Sequence, residues 1–205
     1  MQTPTRQERG PVQARSLKRI EAACEAAEKL LVELGPDKTS IPEIAAAAGV
    51  PRATIYQYFP DRYALFASLA ETQFRRITEQ VDQALTETGK IGWRGLVSVG
   101  VDAAAAFYNA NEVAAILLLL GPFGSADRAA HVEKDKVLAG HFRTRLGLGE
   151  SISASEPDRI ELAIQIAFAC LRYGYIHDGI ISPEISAEAS RAATAYIEPF
   201  MADRA

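Results

Sequence analysis

Residues 35–66, GPDKTSIPEIAAAAGVPRATIYQYFPDRYALF, decide how this chain reads. They describe two short helices joined by a tight turn. The first is predicted over Ile41–Ala48. Ser40 can cap it, and Glu43 three residues later completes an S-x-x-E capping box. Pro42 falls in the first turn, where a missing N–H costs nothing. Gly49 follows, and glycine enters left-handed backbone without strain. Pro51 opens a second helix predicted to last to Phe59, because Pro60 disfavours a helical residue before it. Ile55 and Phe59, four apart, form its inward face. Arg52, Ala53, Thr54, Tyr56, Gln57 and Tyr58 spread over the rest. An outer face with a guanidinium, two phenols, an amide and a hydroxyl, but no carboxylate, suits phosphates and base edges. Helix, glycine turn, helix with an acid-free second face is the helix-turn-helix pattern. An ordinary alanine-rich core pair would not also carry caps, turn and polar face in agreement.

Outward from this stretch, Ser16–Leu34 repeats apolar residues at helical spacing: Leu17, Ile20, Ala23, Cys24, Ala27, Leu30, Leu31 and Leu34. Gly35-Pro36 stops it, and it supplies the third helix that the pair needs for burial. On the other side Asp61 can cap a long helix from Arg62 to about Thr86, with the stripe Leu65, Phe66, Leu69, Phe74, Ile77, Val81 and Leu85. At roughly 1.5 Å per residue this rod spans about 35 Å, which makes it the natural lever between two domains.

The run T-S-I-P-E-I-A-A-A-A-G-V-x-x-A-T-I-Y-x-Y-F-x-D-R-x-x-L-F resembles the DNA-binding domain of TetR-family transcriptional regulators, over roughly residues 15–70. The resemblance implies that Thr39 and Ser40 meet backbone phosphates at the start of the first helix. It implies that Arg52, Ala53 and Gln57 face base edges and that Thr54, Tyr56 and Tyr58 hold phosphates. Arg62, where the family usually has lysine, would touch phosphate at the next helix start. Two departures stand out: Pro51 replaces a capping Ser or Thr, and Tyr63 replaces a frequent acidic residue.

Hydrophobic residues make up 48% of the 205 and charged ones 23%, enough apolar content for a real core. The net charge of −4 argues against a generally sticky nucleic-acid binder, but its distribution says more. Residues 1–76 hold 11 Lys+Arg and 9 Asp+Glu, a net of +2; residues 77–205 hold 11 and 17, a net of −6. A basic end on an acidic body fits a protein that presents one end to DNA. The two cysteines, Cys24 and Cys170, form no C-x-x-C pair, so neither a disulfide framework nor a zinc site is expected. The N-terminus lacks the apolar core of a signal peptide. The charge-free run near Val113–Ala126 is broken by Gly121-Pro122, short of the ~20 residues a membrane span needs. The expectation is a cytoplasmic chain with no membrane segment.

The fold expected is all-α, with about nine helices. Residues 1–14 are expected as a disordered N-terminal tail, 15–62 as the helix-turn-helix domain, and 63–205 as a helical ligand-binding and dimerisation domain. In the latter, helices are predicted over Trp93–Tyr108, Asn111–Leu120, Asp127–Leu146, Glu156–His177 and Pro183–Ala202, with a polar loop over Gly147–Pro157. The penultimate helix is apolar on nearly all sides and must be covered all round. A second copy is the simplest cover, through a four-helix interface of the last two helices of each subunit. The resemblance implies the same homodimer, with recognition helices roughly 34–36 Å apart on a palindromic operator.

A ligand pocket in the second half is an expectation from the analogy, with candidates chosen by residue type: Trp93, Phe107, Tyr108, Leu117, Phe123, Phe168, Tyr173 and His177. Core packing explains aromatics in apolar helices equally well. Such walls suit a small apolar or aromatic effector. His131, His141 and His177 lack metal-ligand spacing, and Cys170 reads as a packing thiol. Neither G-x-S-x-G nor H-E-x-x-H occurs, and no catalytic constellation or cofactor site emerges. The function expected is a ligand-responsive repressor rather than an enzyme. The alternative is a DNA-binding activator, or a partner-dependent regulator with no small-molecule inducer.

Overall fold

A computed structural model of the chain describes residues 11–121, 136, 139–140, 142–144 and 157–201, with the backbone only at 11–14. Among them every regular element is helical. The chain divides into two compact units, the first ending at Leu69 and the second beginning at Ala70.

The first unit opens with α1, Pro11–Leu34. It begins five residues before the Ser16 start expected, so residues 11–14 are helical rather than loose. Proline's fixed φ and missing N–H suit a first helical position. Ala23, Ala26, Ala27 and Leu31 form the buried stripe, while Leu34, expected inside, is 43% exposed at the helix end. α2 spans Ile41–Ala48 and buries Ile41, Ile44 and Ala45. Glu43 Oε2 accepts from the Ser40 backbone N–H at 2.9 Å, the return half of the expected box. Gly49 takes φ 65°, ψ 30°, and the Val50 N–H then closes onto the Ala45 carbonyl at 3.1 Å.

α3 is shorter than expected, Arg52–Tyr56 instead of a helix to Phe59. The Tyr58 N–H reaches only to the Ile55 carbonyl (3.0 Å), three residues back, so the last turn tightens. The Phe59 N–H still reaches the same carbonyl at 2.9 Å. Ile55 is fully buried and locks the segment onto α1 and α2. α4, Arg62–Glu87, is capped by Asp61, whose Oδ1 accepts from the Ala64 N–H at 2.9 Å. Its first residues bury Leu65, Phe66 and Leu69 in the first unit; Ile77, Val81 and Leu85 are buried in the second.

The second unit continues with α5 (Trp93–Ala110) and α6 (Glu112–Ala114), which widens into a π-helical turn over Ala115–Leu119. All five residues of that turn are buried. α7 spans Arg159–Asp178 and α8 spans Pro183–Met201. The expected helix over Asp127–Leu146 is described only at 136, 139–140 and 142–144, all helical. The expected loop at 147–156, along with His131 and His141, lies outside the described residues.

Three devices set the packing of this unit. Asp158 caps α7, its Oδ1 accepting from the N–H groups of Ile160 (2.9 Å) and Glu161 (3.2 Å), and its other oxygen pairs with Arg143. α7 and α8 lie side by side along their length, and Gly174 makes the approach possible: a Cβ there would stand 2.9 Å from Ile185 Cγ2. The Asn109 side chain grips the main chain of Ile181 between α7 and α8. Its Nδ2–H donates to the carbonyl and its Oδ1 accepts from the N–H, both at 2.8 Å.

Candidate DNA-binding surface and interior cavity

Arg52, Ala53, Tyr56, Gln57 and Tyr58 are exposed around the buried Ile55, and Thr54 is half-buried. Five consecutive residues of regular helix cannot hold shape alone, so neighbours must fix this surface. Ile55 is the hydrophobic pin. The Tyr58 hydroxyl shares a 3.0 Å hydrogen bond with the Ser16 hydroxyl on α1. Tyr56 and Tyr58 remain 49% and 44% exposed, so their rings and Tyr56's hydroxyl face outward. The segment from Pro51 to Pro60 contains no carboxylate, so its lone cation, Arg52, is not neutralised from within.

Thr39 departs from its expected role. It is wholly buried, and its hydroxyl donates to the Gly35 carbonyl at 2.8 Å, closing the turn after α1. Its side chain therefore cannot meet a phosphate. Ser40 beside it is half-buried, at the start of α2. Arg62 is also engaged within the protein. Its Nη1–H donates to the Asp37 carbonyl at 2.9 Å, its Nη2–H to the Tyr63 hydroxyl at 3.0 Å, and its guanidinium lies 4.9 Å from the Tyr63 ring centre. Tyr63, the departure from the family pattern, thus orients Arg62. Further N–H groups of Arg62 stay available for phosphate.

The second unit encloses a cavity of about 330 Å³, within the range of small-molecule sites. Phe74, Ile77, Thr78 and Val81 of α4 line it, with Gly100, Val101, Ala104 and Tyr108 of α5, Leu118 of the π turn, Gly121 and Phe142. α7 contributes Ile164, Gln165, Ala167, Phe168, Leu171 and Arg172. Of the aromatics chosen by residue type, Tyr108 and Phe168 are in this wall. Phe107 and Leu117 are buried core residues on other faces of their helices. Trp93 packs beside the core, with the Arg94 guanidinium 4.4 Å from its ring centre. Tyr173 and His177 are exposed on α7 and stack on each other, ring centres 4.2 Å apart. Phe123 lies outside the described residues. The signal that composition missed is small size: Gly100 and Ala104 make room, and a Cβ on Gly100 would come within 2.6 Å of the Phe142 ring. Tyr108 is 5% exposed, and burial pushes its phenol pKa upward, so it stays a protonated donor.

A buried-pin reading segment on a glycine turn, braced by α1 and carried into α4, defines a helix-turn-helix DNA-binding domain. Comparison with known proteins agrees. A model of the family described as "Bacterial regulatory proteins, tetR family" matches residues 24–69. An HTH-type transcriptional regulator of Mycobacterium tuberculosis is 34% identical over 88 residues, 41% of this chain and 44% of that protein. The match thus spans under half the length of this curated relative. The solved structure of a TetR-family transcriptional regulator from Streptomyces coelicolor superposes with a TM-score of 0.70 at 24% identity. It covers 90% of this chain and 98% of that one. The multidrug binding protein EbrR complexed with imidazole gives a TM-score of 0.66 at 15% identity, covering 95% and 97%; both likenesses are of fold. Over residues 24–69 the chain carries the helix-turn-helix domain described for the tetR family of bacterial regulatory proteins.

Proposed function

We propose that the protein is a cytoplasmic, ligand-responsive repressor that binds a palindromic operator as a homodimer. The cavity built on α4 carries this reading. One continuous helix holds Leu65 and Phe66 in the core of the DNA-binding unit and Phe74, Ile77 and Val81 in the cavity wall. A ligand that binds better when α4 is displaced lowers the population of the DNA-binding conformer. In the bound state Arg52 and Gln57 read base edges, and Tyr56, Tyr58 and Arg62 hold phosphates.

The homodimer is supported by the outer face of α7. Tyr173 and Ile176 near the end of α7, and Ile180 two residues beyond it, are 56%, 54% and 57% exposed. Covering them with the same face of a second copy gives a two-fold dimer. Among the described residues no helix is long and apolar enough to cross a membrane.

Selection of binding sites from random duplexes, followed by footprinting, tests the reading. Recovered sites should be inverted repeats with half-sites about one turn apart. Gln57→Ala should cost about 1–3 kcal/mol at a single base position. Direct repeats, or a variant with discrimination intact, would overturn the assignment. A stoichiometric protein partner, with no small molecule releasing DNA, would favour the partner-dependent regulator instead.

A further inference from the structure

We propose that the cavity takes a monoanionic amphiphile, an apolar body of rings or methylenes ending in one carboxylate-like group that meets Arg172. This rests on the ligand-responsive reading and narrows it to a chemical class.

The described wall is mostly aliphatic and aromatic, with four polar side chains: Thr78, Tyr108, Gln165 and Arg172. Thr78 is already committed, its hydroxyl donating to the Phe74 carbonyl at 2.9 Å. Tyr108 is 5% exposed and lines the cavity, so its phenol brings a donor to an otherwise apolar hollow. An acceptor on a bound molecule within reach would take a hydrogen bond from it. Gln165 and Arg172 are exposed and stand seven residues apart, two turns along the same side of α7. They mark the open edge of the cavity.

Charge then selects the class. Arginine stays protonated in proteins, so Arg172 is a permanent cation beside the hollow. No carboxylate occurs among the described lining residues, and no ion pair engages Arg172 among them. A cationic ligand would find repulsion and no counter-charge. A neutral one would gain at most a hydrogen bond from the guanidinium, without the charge pairing. A carboxylate gains charge-assisted hydrogen bonds, shorter and stronger than neutral ones, while its apolar body fills the walls.

Isothermal titration of the full chain with 2-naphthoate and decanoate, their alcohols 2-naphthalenemethanol and decanol, and decylammonium tests this. The carboxylates should bind about tenfold or more tightly than the alcohols. Arg172→Gln should bring the pairs level with alcohol binding unchanged, and Arg172→Lys should keep a preference. Arg172 is exposed, so neither substitution disturbs a core. Alcohols or decylammonium binding as well as the carboxylates would overturn the anionic class while leaving a ligand-binding cavity. A carboxylate preference that survives Arg172→Gln would overturn the assignment to this residue. No heat from any of the five, with Nile red also excluded, would sink the ligand-responsive reading itself.

Discussion

Replacing Gly174 with alanine sets two effects of opposite sign against each other. Glycine inside a helix costs roughly 0.5–1 kcal/mol relative to alanine, so on propensity alone Gly174→Ala stabilises. The packing opposes this. A Cβ at 174 would stand 2.9 Å from Ile185 Cγ2, 3.1 Å from Cγ1 and 3.3 Å from Cβ. Carbon pairs settle at about 3.5–4.0 Å, so every one of these is short. Ile185 cannot rotate away, because it is β-branched and stiff in a helix, and its own Cβ is among the crowded atoms. α8 must shift instead. Overpacking of this kind costs about 1–3 kcal/mol, which outweighs the propensity gain and leaves a net loss of about 1–2 kcal/mol. Urea denaturation should show this loss at unchanged slope. Gly174→Ala combined with Ile185→Ala should be less destabilised than the two single effects summed, by about 1 kcal/mol or more. A stabilised Gly174→Ala protein, or strict additivity, would refute the close approach of α7 and α8.

Other expectations follow from single contacts. Thr39→Val removes the hydroxyl that serves the Gly35 carbonyl and should lower stability by about 1 kcal/mol, while DNA affinity of the folded fraction, read by fluorescence anisotropy, stays unchanged. Gly49→Ala meets no atom within 4 Å, so its cost is backbone strain alone, about 1–2 kcal/mol in thermal unfolding. Asn109→Asp keeps the acceptor for the Ile181 N–H but sets an oxygen against the Ile181 carbonyl. The new carboxyl should be held above its ordinary pKa, since only its protonated form can donate there. The penalty against wild type is therefore full at neutral pH and shrinks as pH falls through that raised value, which parallel urea titrations at the two pH values would read.

The helix-turn-helix was legible because its signals are local: a capping Ser-Glu pair, a glycine at the one left-handed position, and prolines bracketing the reading segment. Thr39 was misjudged because it lies between periodic segments, where no spacing tells which way a side chain faces. The end of α3 was misjudged for a related reason: Pro60 limits a helix without saying that its last turn will tighten. The cavity was half legible. A search for aromatics finds Tyr108 and Phe168 but not the room that Gly100 and Ala104 leave, since an interior void is signalled by what is small. On α7, apolar on nearly every side, Phe168 and Tyr173 look alike in sequence; only packing puts one in the wall and the other in solvent.

The brevity of α3 has a practical side for anyone wishing to redirect the protein to new DNA. A peptide copied from residues 51–59 would lose its form in water, because the pin at Ile55 and the bond from Tyr58 to Ser16 stay behind. The portable module is the whole braced unit. Retargeting therefore belongs to exchanges at Arg52, Ala53 and Gln57 on the intact scaffold, where a library of a few positions leaves the frame untouched.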